Sequence, residues 1–272
     1  MRSFAIMNQK GGVGKTTTAV NLSAALADAG ERTLLIDLDP QAHASLHLGI
    51  APHDTAASVY DVLTGEASLA DARIRVAENL HLVSSHIDLA AAEVELAGVV
   101  GRELILRDKL REDEAEFDYV IVDCPPSLGI LTINALTAVE EVLLPLQPHF
   151  LALHGLSKLL ETISLVARRL NDGLRLSGVV FCMYESATRL ASEVSGDVEA
   201  FFARARDEGG TWATAHMFQT RIRRNIRLAE APSFGQSIFV YAPSCNGAED
   251  YRSLAKELMR MPKPAQLVAA TH

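Results

Sequence analysis

Short apolar runs recur along this chain between stretches of helical period, and that alternation constrains its fold more than any other feature. The runs predicted as strands are Phe4–Met7, Thr33–Ile36, Leu80–Ser84, Tyr119–Val122, Glu141–Leu146, Leu176–Phe181 and Ile238–Val240. Between them, helices are predicted over Thr16–Ala29, Ala90–Leu96, Arg102–Arg111, Ile130–Ala138, Leu156–Leu170, Arg189–Arg206 and Ala248–Met261. Strands that alternate with helices of this length form βαβ units. The expected fold is therefore α/β, a mostly parallel twisted β-sheet covered by helices on both faces, with right-handed crossovers. The stretch Gly49–Leu69 reads as a loop holding a short helix around Ser58–Leu63. One domain is expected over residues 1–261. A short tail, 262–272, opens with Pro262-Lys263-Pro264 and cannot continue a helix.

Composition narrows the class. Hydrophobic residues make up 49% and charged residues 22%, a globular balance that argues against disorder. No apolar stretch reaches the ~18 residues of a membrane span. The chain enters its first strand almost at once, leaving no room for a signal peptide. Cys124, Cys182 and Cys245 are far apart and have no metal or disulfide spacing, so a reducing, cytoplasmic compartment is expected. The net charge of −9 argues mildly against a nucleic-acid partner, although a total says nothing about its distribution.

The run Lys10-Gly11-Gly12-Val13-Gly14-Lys15-Thr16-Thr17 follows the first strand and opens the first helix. That is the context of a phosphate-binding loop. Glycines permit the positive φ angles that turn successive N–H groups toward one anion. Lys15 would reach the β- and γ-phosphates, and the Thr16 hydroxyl would ligate Mg²⁺. Gln9 stands where the strict GxxxxGK[ST] pattern has its first glycine. Two further strands end in acids: Thr33–Ile36 runs into Asp37-Leu38-Asp39-Pro40-Gln41, and Tyr119–Val122 into Asp123-Cys124-Pro125-Pro126. Open α/β sheets bind ligands beyond the carboxyl ends of their strands. Acids beside a triphosphate need a cation between them, so Mg²⁺ is implied along with ATP.

With these motifs the sequence resembles the ParA/MinD group of deviant Walker ATPases, and most closely its ParA (Soj) branch. The resemblance also rests on Ala152-Leu153-His154-Gly155-Leu156, Met183-Tyr184-Glu185-Ser186 and the stretch Asn225-Ile226-Arg227-Leu228-Ala229-Glu230-Ala231-Pro232-Ser233. It implies a P-loop ATPase in which Lys10, Gly11, Gly12, Val13, Gly14, Lys15, Thr16 and Thr17 contact the nucleotide, with Met183 and Pro232 near the adenine. It further implies that Lys10 crosses a homodimer interface to the partner's nucleotide, so that dimerisation depends on ATP. Asp39 would position the attacking water, and Asp123 with Asp37 would hold Mg²⁺ through water, a helix N-cap being the structural alternative for Asp37. The chain departs from the family pattern at Ala42-His43, where Gly-Asn is common, at Pro148-His149-Phe150, and at His154; solvated loop positions are expected for these histidines.

The segment Arg221-Ile222-Arg223-Arg224-Asn225-Ile226-Arg227 holds four arginines in seven residues, a local reversal of sign in an acidic chain. Arg221, Arg223, Arg224 and Arg227, with Arg189 upstream, are expected to contact DNA; pairing with nearby acids is the structural alternative. No groove-reading motif accompanies them, so binding to double-stranded DNA would be non-specific. The resemblance implies a nucleoid-associated partition ATPase for a chromosome, a plasmid or a protein assembly. A ParB-type adaptor would stimulate its hydrolysis. A MinD-like membrane role would need a basic amphipathic C-terminal helix, which Pro262 to Val268 does not supply, so no membrane is expected. A metabolic P-loop enzyme is the remaining alternative.

Overall fold

In the computed structural model, which describes residues 1–51, 54–113, 116–149, 156–186, 188–208, 212 and 215–262 (205–208 by backbone alone), the apolar runs form the middle of a sheet. The strands are β1 (Arg2–Ile6), β2 (Thr33–Asp37), β3 (Arg73–Ala77), β4 (Leu80–Val83), β5 (Tyr119–Asp123), β6 (Glu141–Leu146), β7 (Arg175–Phe181) and β8 (His216–Met217). Their order is β3-β4-β2-β5-β1-β6-β7-β8. Every pairing is parallel except β3 with β4. A mostly parallel sheet of this kind must be covered on both faces. Phe4 and Ile6 face one apolar layer, and Ala5 and Met7 the other; Tyr119 and Ile121 alternate with Val120 and Val122 in the same way.

Helices Lys15–Asp28 and Asn246–Arg260 supply most of the first layer. The opposite layer is built from Val59–Thr64, Leu89–Glu95, Ile105–Glu112, Ile130–Ala138, Leu156–Arg169 and Arg189–Glu208. Predicted helix boundaries hold to within one or two residues, the usual uncertainty of helix ends. The exception is Arg102–Arg111, whose first turn is a 3₁₀ helix, Arg102–Leu104. Within Gly49–Leu69, the short helix is Val59–Thr64, opened by a capping box between Ser58 and Asp61.

Ile238–Val240, predicted as a strand, is helical instead, over Ile238–Tyr241. Asn21 Oδ1 accepts the Ile238 N–H at 2.8 Å, satisfying a donor that a helix start leaves free. Ile238 is fully buried, so its β-branched side chain answers a packing need rather than a strand. Strands β3 and β8 were not expected. Arg73 and Arg75 disguise the first as polar, and the second has only two residues; both are sheet edges.

One buried ion pair ties the sheet to the C-terminal helix. Arg2 and Glu141, 2% and 3% exposed, meet in two bonds of 2.8 Å. Arg2 also donates to Leu258 O at 2.8 Å, and Ser177 Oγ donates to Glu141 at 2.7 Å. Such pairs survive burial only when their remaining hydrogen-bonding capacity is used as well, as it is here.

Candidate functional site

The glycine loop begins where β1 ends. Asn8 fastens its entry: the Asn8 Nδ2 donates to Pro145 O at 2.8 Å, and its Oδ1 accepts the Lys10 N–H at 3.0 Å. Gly12 and Gly14 have φ of +73° and +94°, a conformation L side chains rarely adopt. The helix starts at Lys15, and its first backbone bond runs from Thr18 N to Gly14 O. The N–H groups of Gly11 through Thr17 therefore find no acceptor among the described residues, which suits a concave anion site at a helix N-terminus. Lys15 is buried, and its ammonium donates to Lys10 O at 3.0 Å. Burial lowers its pKa, and the nearby Asp123 and Asp39 offset part of that shift. The Lys10 side chain lies exposed.

Parallel register brings the acids together. Asp37 at the end of β2 pairs with Asp123 at the end of β5, and Asp123 pairs with Ile6 at the mouth of the loop. Both carboxylates are inaccessible, yet they differ in what satisfies them. Asp37 Oδ2 accepts from Ser45 N at 2.8 Å and Ser45 Oγ at 2.7 Å, and its Oδ1 accepts from Asp39 N at 3.3 Å. Ser45 Oγ in turn accepts the Ser85 N–H at 3.0 Å. Neither oxygen of Asp123 has a hydrogen-bond partner among the described residues.

Burial pushes the Asp37 carboxyl up to about 6, with the Ser45 bonds opposing. Burial, then the Asp37 charge, raises Asp123 well above the carboxylate range; the Thr16 hydroxyl, facing it outside hydrogen-bond geometry, lowers it in part. Two adjacent buried carboxylates with one lysine to share lack positive charge. An orphaned carboxylate beside a threonine hydroxyl and a free N–H cradle is a donor set that fits a hard divalent cation with a phosphate ligand.

Asp39 is 8% exposed, and its Oδ1 accepts the Gln41 N–H at 3.0 Å. The next turn closes on Ala42, which adopts φ +53° as N-cap of helix His43–His47. Where the family pattern has glycine, this chain keeps glycine's backbone with an alanine. His43 is exposed and His149 half-buried; Phe150 and the segment with His154 lie outside the described residues, as does 263–272. Met183 has φ +51° and follows Cys182, whose Cβ would lie 3.4 Å from a Cβ on Gly14, so Met183 leaves β7 directly beside the loop. Pro232 is the second residue of the short 3₁₀ helix Ala231–Phe234 and is half-buried.

Each of the five arginines has an acidic partner. Arg223 is the most committed: its guanidinium reaches Asp250 at 2.6 Å and Glu249 at 2.9 Å, and its N–H donates to Asp250 at 2.9 Å. Arg221 stacks on the Tyr184 ring, 4.4 Å from its centroid, with Glu199 4.0 Å away. Arg224 pairs with Glu185, Arg227 with Glu230 and Arg189 with Glu193. Arg189 and Arg224 remain 93% and 75% exposed, so their pairs are weak surface contacts. None of these acids is Asp207 or Glu208, whose side chains lie outside the described residues.

Ser45, Ser85, Cys182 and Tyr251, which brace the site from behind, carried no signal in the sequence. A single serine or tyrosine at an arbitrary distance from a motif has no spacing to betray it.

Comparison with known proteins agrees with this geometry. Residues 1–176 match a family model described as an AAA domain. The chain is 46% identical to the sporulation initiation inhibitor protein Soj of Bacillus subtilis, over 94% of this chain and 97% of that one. It is 43% identical to the chromosome partitioning protein ParA of Myxococcus xanthus, over 97% and 89% respectively. Among solved structures it is similar to cobyrinic acid a,c-diamide synthase from Mycobacterium smegmatis with bound ATP analogue and magnesium. That likeness has a TM-score of 0.80 and 37% identity, and it covers 97% of this chain and 99% of that one. Among the described residues, no helix is long and apolar enough to cross a membrane.

Proposed function

We propose, from the premise that this chain belongs to the ParA/Soj family of chromosome-partitioning ATPases, that it is a Mg²⁺-dependent ATP switch. Its on-state would be a DNA-binding homodimer. The observation that carries the nucleotide reading is the Asp123 carboxylate, buried opposite the loop's N–H groups, with no partner for either among the described residues. In this reading the N–H groups of Gly11 to Thr17 and the Lys15 ammonium hold the β- and γ-phosphates, Thr16 and Asp123 hold the metal, and Met183 and Pro232 border the base. Bound Mg²⁺ would neutralise phosphate charge as the β–γ anhydride breaks. Asp37, whose oxygens are engaged by Ser45 and Asp39, keeps the helix His43–His47 and the Asp39 turn in place. Asp39 orients the attacking water. The exposed Lys10 reaches the nucleotide of a second copy and brings a cation to its γ-phosphate.

The DNA surface comprises Arg189, Arg224, Arg227 and Arg221. Arg223 serves it as an anchor, because its guanidinium is held by Asp250. Dimerisation doubles the number of phosphate contacts, and two linked weak sites bind far better than one. With three or four contacts per subunit, log affinity should fall against log salt with a slope of roughly −5 to −7, and half that for a monomer. The active unit would be one domain over 1–261, working on the nucleoid with a ParB-type adaptor that stimulates hydrolysis. A ligase acting on a small molecule is the second reading, favoured by the likeness to the diamide synthase.

Light scattering and DNA binding with Mg²⁺·ATP separate the two. The wild-type chain should dimerise and bind arbitrary duplex DNA. Lys10→Ala should retain ATP but stay monomeric, and Arg189→Glu with Arg224→Glu should dimerise yet lose DNA. A persistent Lys10→Ala dimer removes the lysine from the interface, and a wild-type chain indifferent to DNA favours the ligase.

A further inference from the structure

The phosphate loop and the arginine segment are fastened to one helix by adjacent side chains. On helix Asn246–Arg260, Asp250 holds the backbone N–H and guanidinium of Arg223, as described above. The next residue, Tyr251, is 1% exposed and points at the other neighbour: its hydroxyl lies 3.2 Å from Thr18 Oγ1. Thr18 is the residue whose N–H makes the first helical bond back to Gly14. Successive helix positions point about 100° apart, so one turn of this helix touches both the nucleotide loop and the arginines.

The arginine segment cannot slip along that helix. Gly247 faces Leu228 so closely that an added Cβ would lie 2.7 Å from Leu228 Cγ. On its other side the segment is hydrogen-bonded to Tyr184, which donates to Ile222 O at 2.9 Å and accepts from Arg224 N at 3.3 Å. Thr18 Oγ1 also lies 3.6 Å from Cys182 Sγ, at the root of that same strand exit. Close-packed interiors transmit small shifts rather than absorb them. A change at Gly14 and Lys15 thus has a short, continuous route to the arginines.

We propose that Tyr251 is a positioning residue that couples the phosphate-loop helix to the arginine segment, so that occupancy of the loop sets how Arg221 and Arg224 are presented. The consequence for DNA rests on the DNA-binding reading above. The mechanical coupling does not.

Tyr251→Phe removes the hydroxyl and keeps the ring. Two responses to Mg²⁺·ATP are compared with wild type: the gain in DNA affinity, and the slowing of amide hydrogen exchange in segment 221–228. The variant should bind ATP as the wild type does. Its ATP-driven gain in DNA affinity should shrink by about fivefold or more, in the usual range of coupling between sites. Its exchange in 221–228 should no longer respond to ATP. Thr18→Val should reproduce both losses, Thr18→Ser should preserve the responses, and the double variant should be no worse than either single one. A tyrosine that merely supports the fold would weaken DNA binding with and without ATP alike, leaving the ratio unchanged. An unchanged ratio, or an unchanged exchange response, overturns the coupling. If the wild-type chain ignores DNA while its exchange response depends on Tyr251, the DNA reading fails and the coupling stands.

Discussion

Asp123→Asn is expected to stabilise the nucleotide-free protein at pH 7 and to abolish the further stabilisation that Mg²⁺ with nucleotide confers on the wild type. Both effects follow from a buried carboxylate with no hydrogen-bond partner among the described residues. Removing its charge relieves a desolvation penalty on the order of 1–3 kcal/mol. The sign of the pH dependence is fixed by the direction of the shifts. Asp37 and Asp123 are both raised in the folded state, so the folded protein holds protons that the unfolded chain has released. Their contribution to stability is fully present below about pH 4, the carboxylate range of an unfolded chain. The Asp37 share of it is lost as pH rises through about 6, its folded value.

A divalent cation held at Asp123 would favour the deprotonated carboxylate and reverse that loss, so nucleotide-dependent stabilisation should grow from about pH 5 to about pH 7.5. Thermal melts across this range, with and without Mg²⁺·ADP, test both halves. ATP hydrolysis by Asp123→Asn should fall at least about a hundredfold, the order seen when a main electrostatic support of a transition state is removed. A wild-type Mg²⁺ response in the variant would exclude Asp123 from the metal site.

Glu141→Ala is expected to destabilise the protein by about 3–5 kcal/mol, because it leaves the Arg2 guanidinium buried and half-satisfied. The effect should appear as a lower urea midpoint with an unchanged slope. Arg2→Met with Glu141→Leu should cost less than Glu141→Ala alone, since no uncompensated charge then remains inside. Ser177 and the carbonyl of Leu258 lose partners in that double variant, so some loss persists. A Glu141→Ala unfolding free energy within about 1 kcal/mol of wild type, the range of an exposed pair, would contradict the burial.

Legibility followed locality. The central strands and long helices could be read directly, because uninterrupted apolar runs and helical periods are properties of neighbouring residues. The nucleotide loop was legible for the same reason, its glycines, lysine and threonines being contiguous. Ile238–Val240 misled because a short β-branched run looks alike in a strand and in a buried helical turn. The arginines were visible as a cluster, but their partners were not. Asp250 lies 27 positions from Arg223 and Glu185 lies 39 from Arg224, and no spacing rule links them.

The sequence by itself determined that this chain is an α/β protein with a phosphate loop and two acidic strand ends, and it pointed to the family. Each of those is written in contiguous residues. Tertiary structure alone decided how the acids divide: register sets Asp37 against Asp123, and only the packing of Ser45 leaves one satisfied and the other bare. It also decided that Asp250 holds the Arg223 guanidinium, that Ala42 holds a left-handed turn, and that Tyr251 reaches Thr18. Such roles depend on which distant group completes a hydrogen bond in the absence of water. That is settled only when the chain has folded and closed around it.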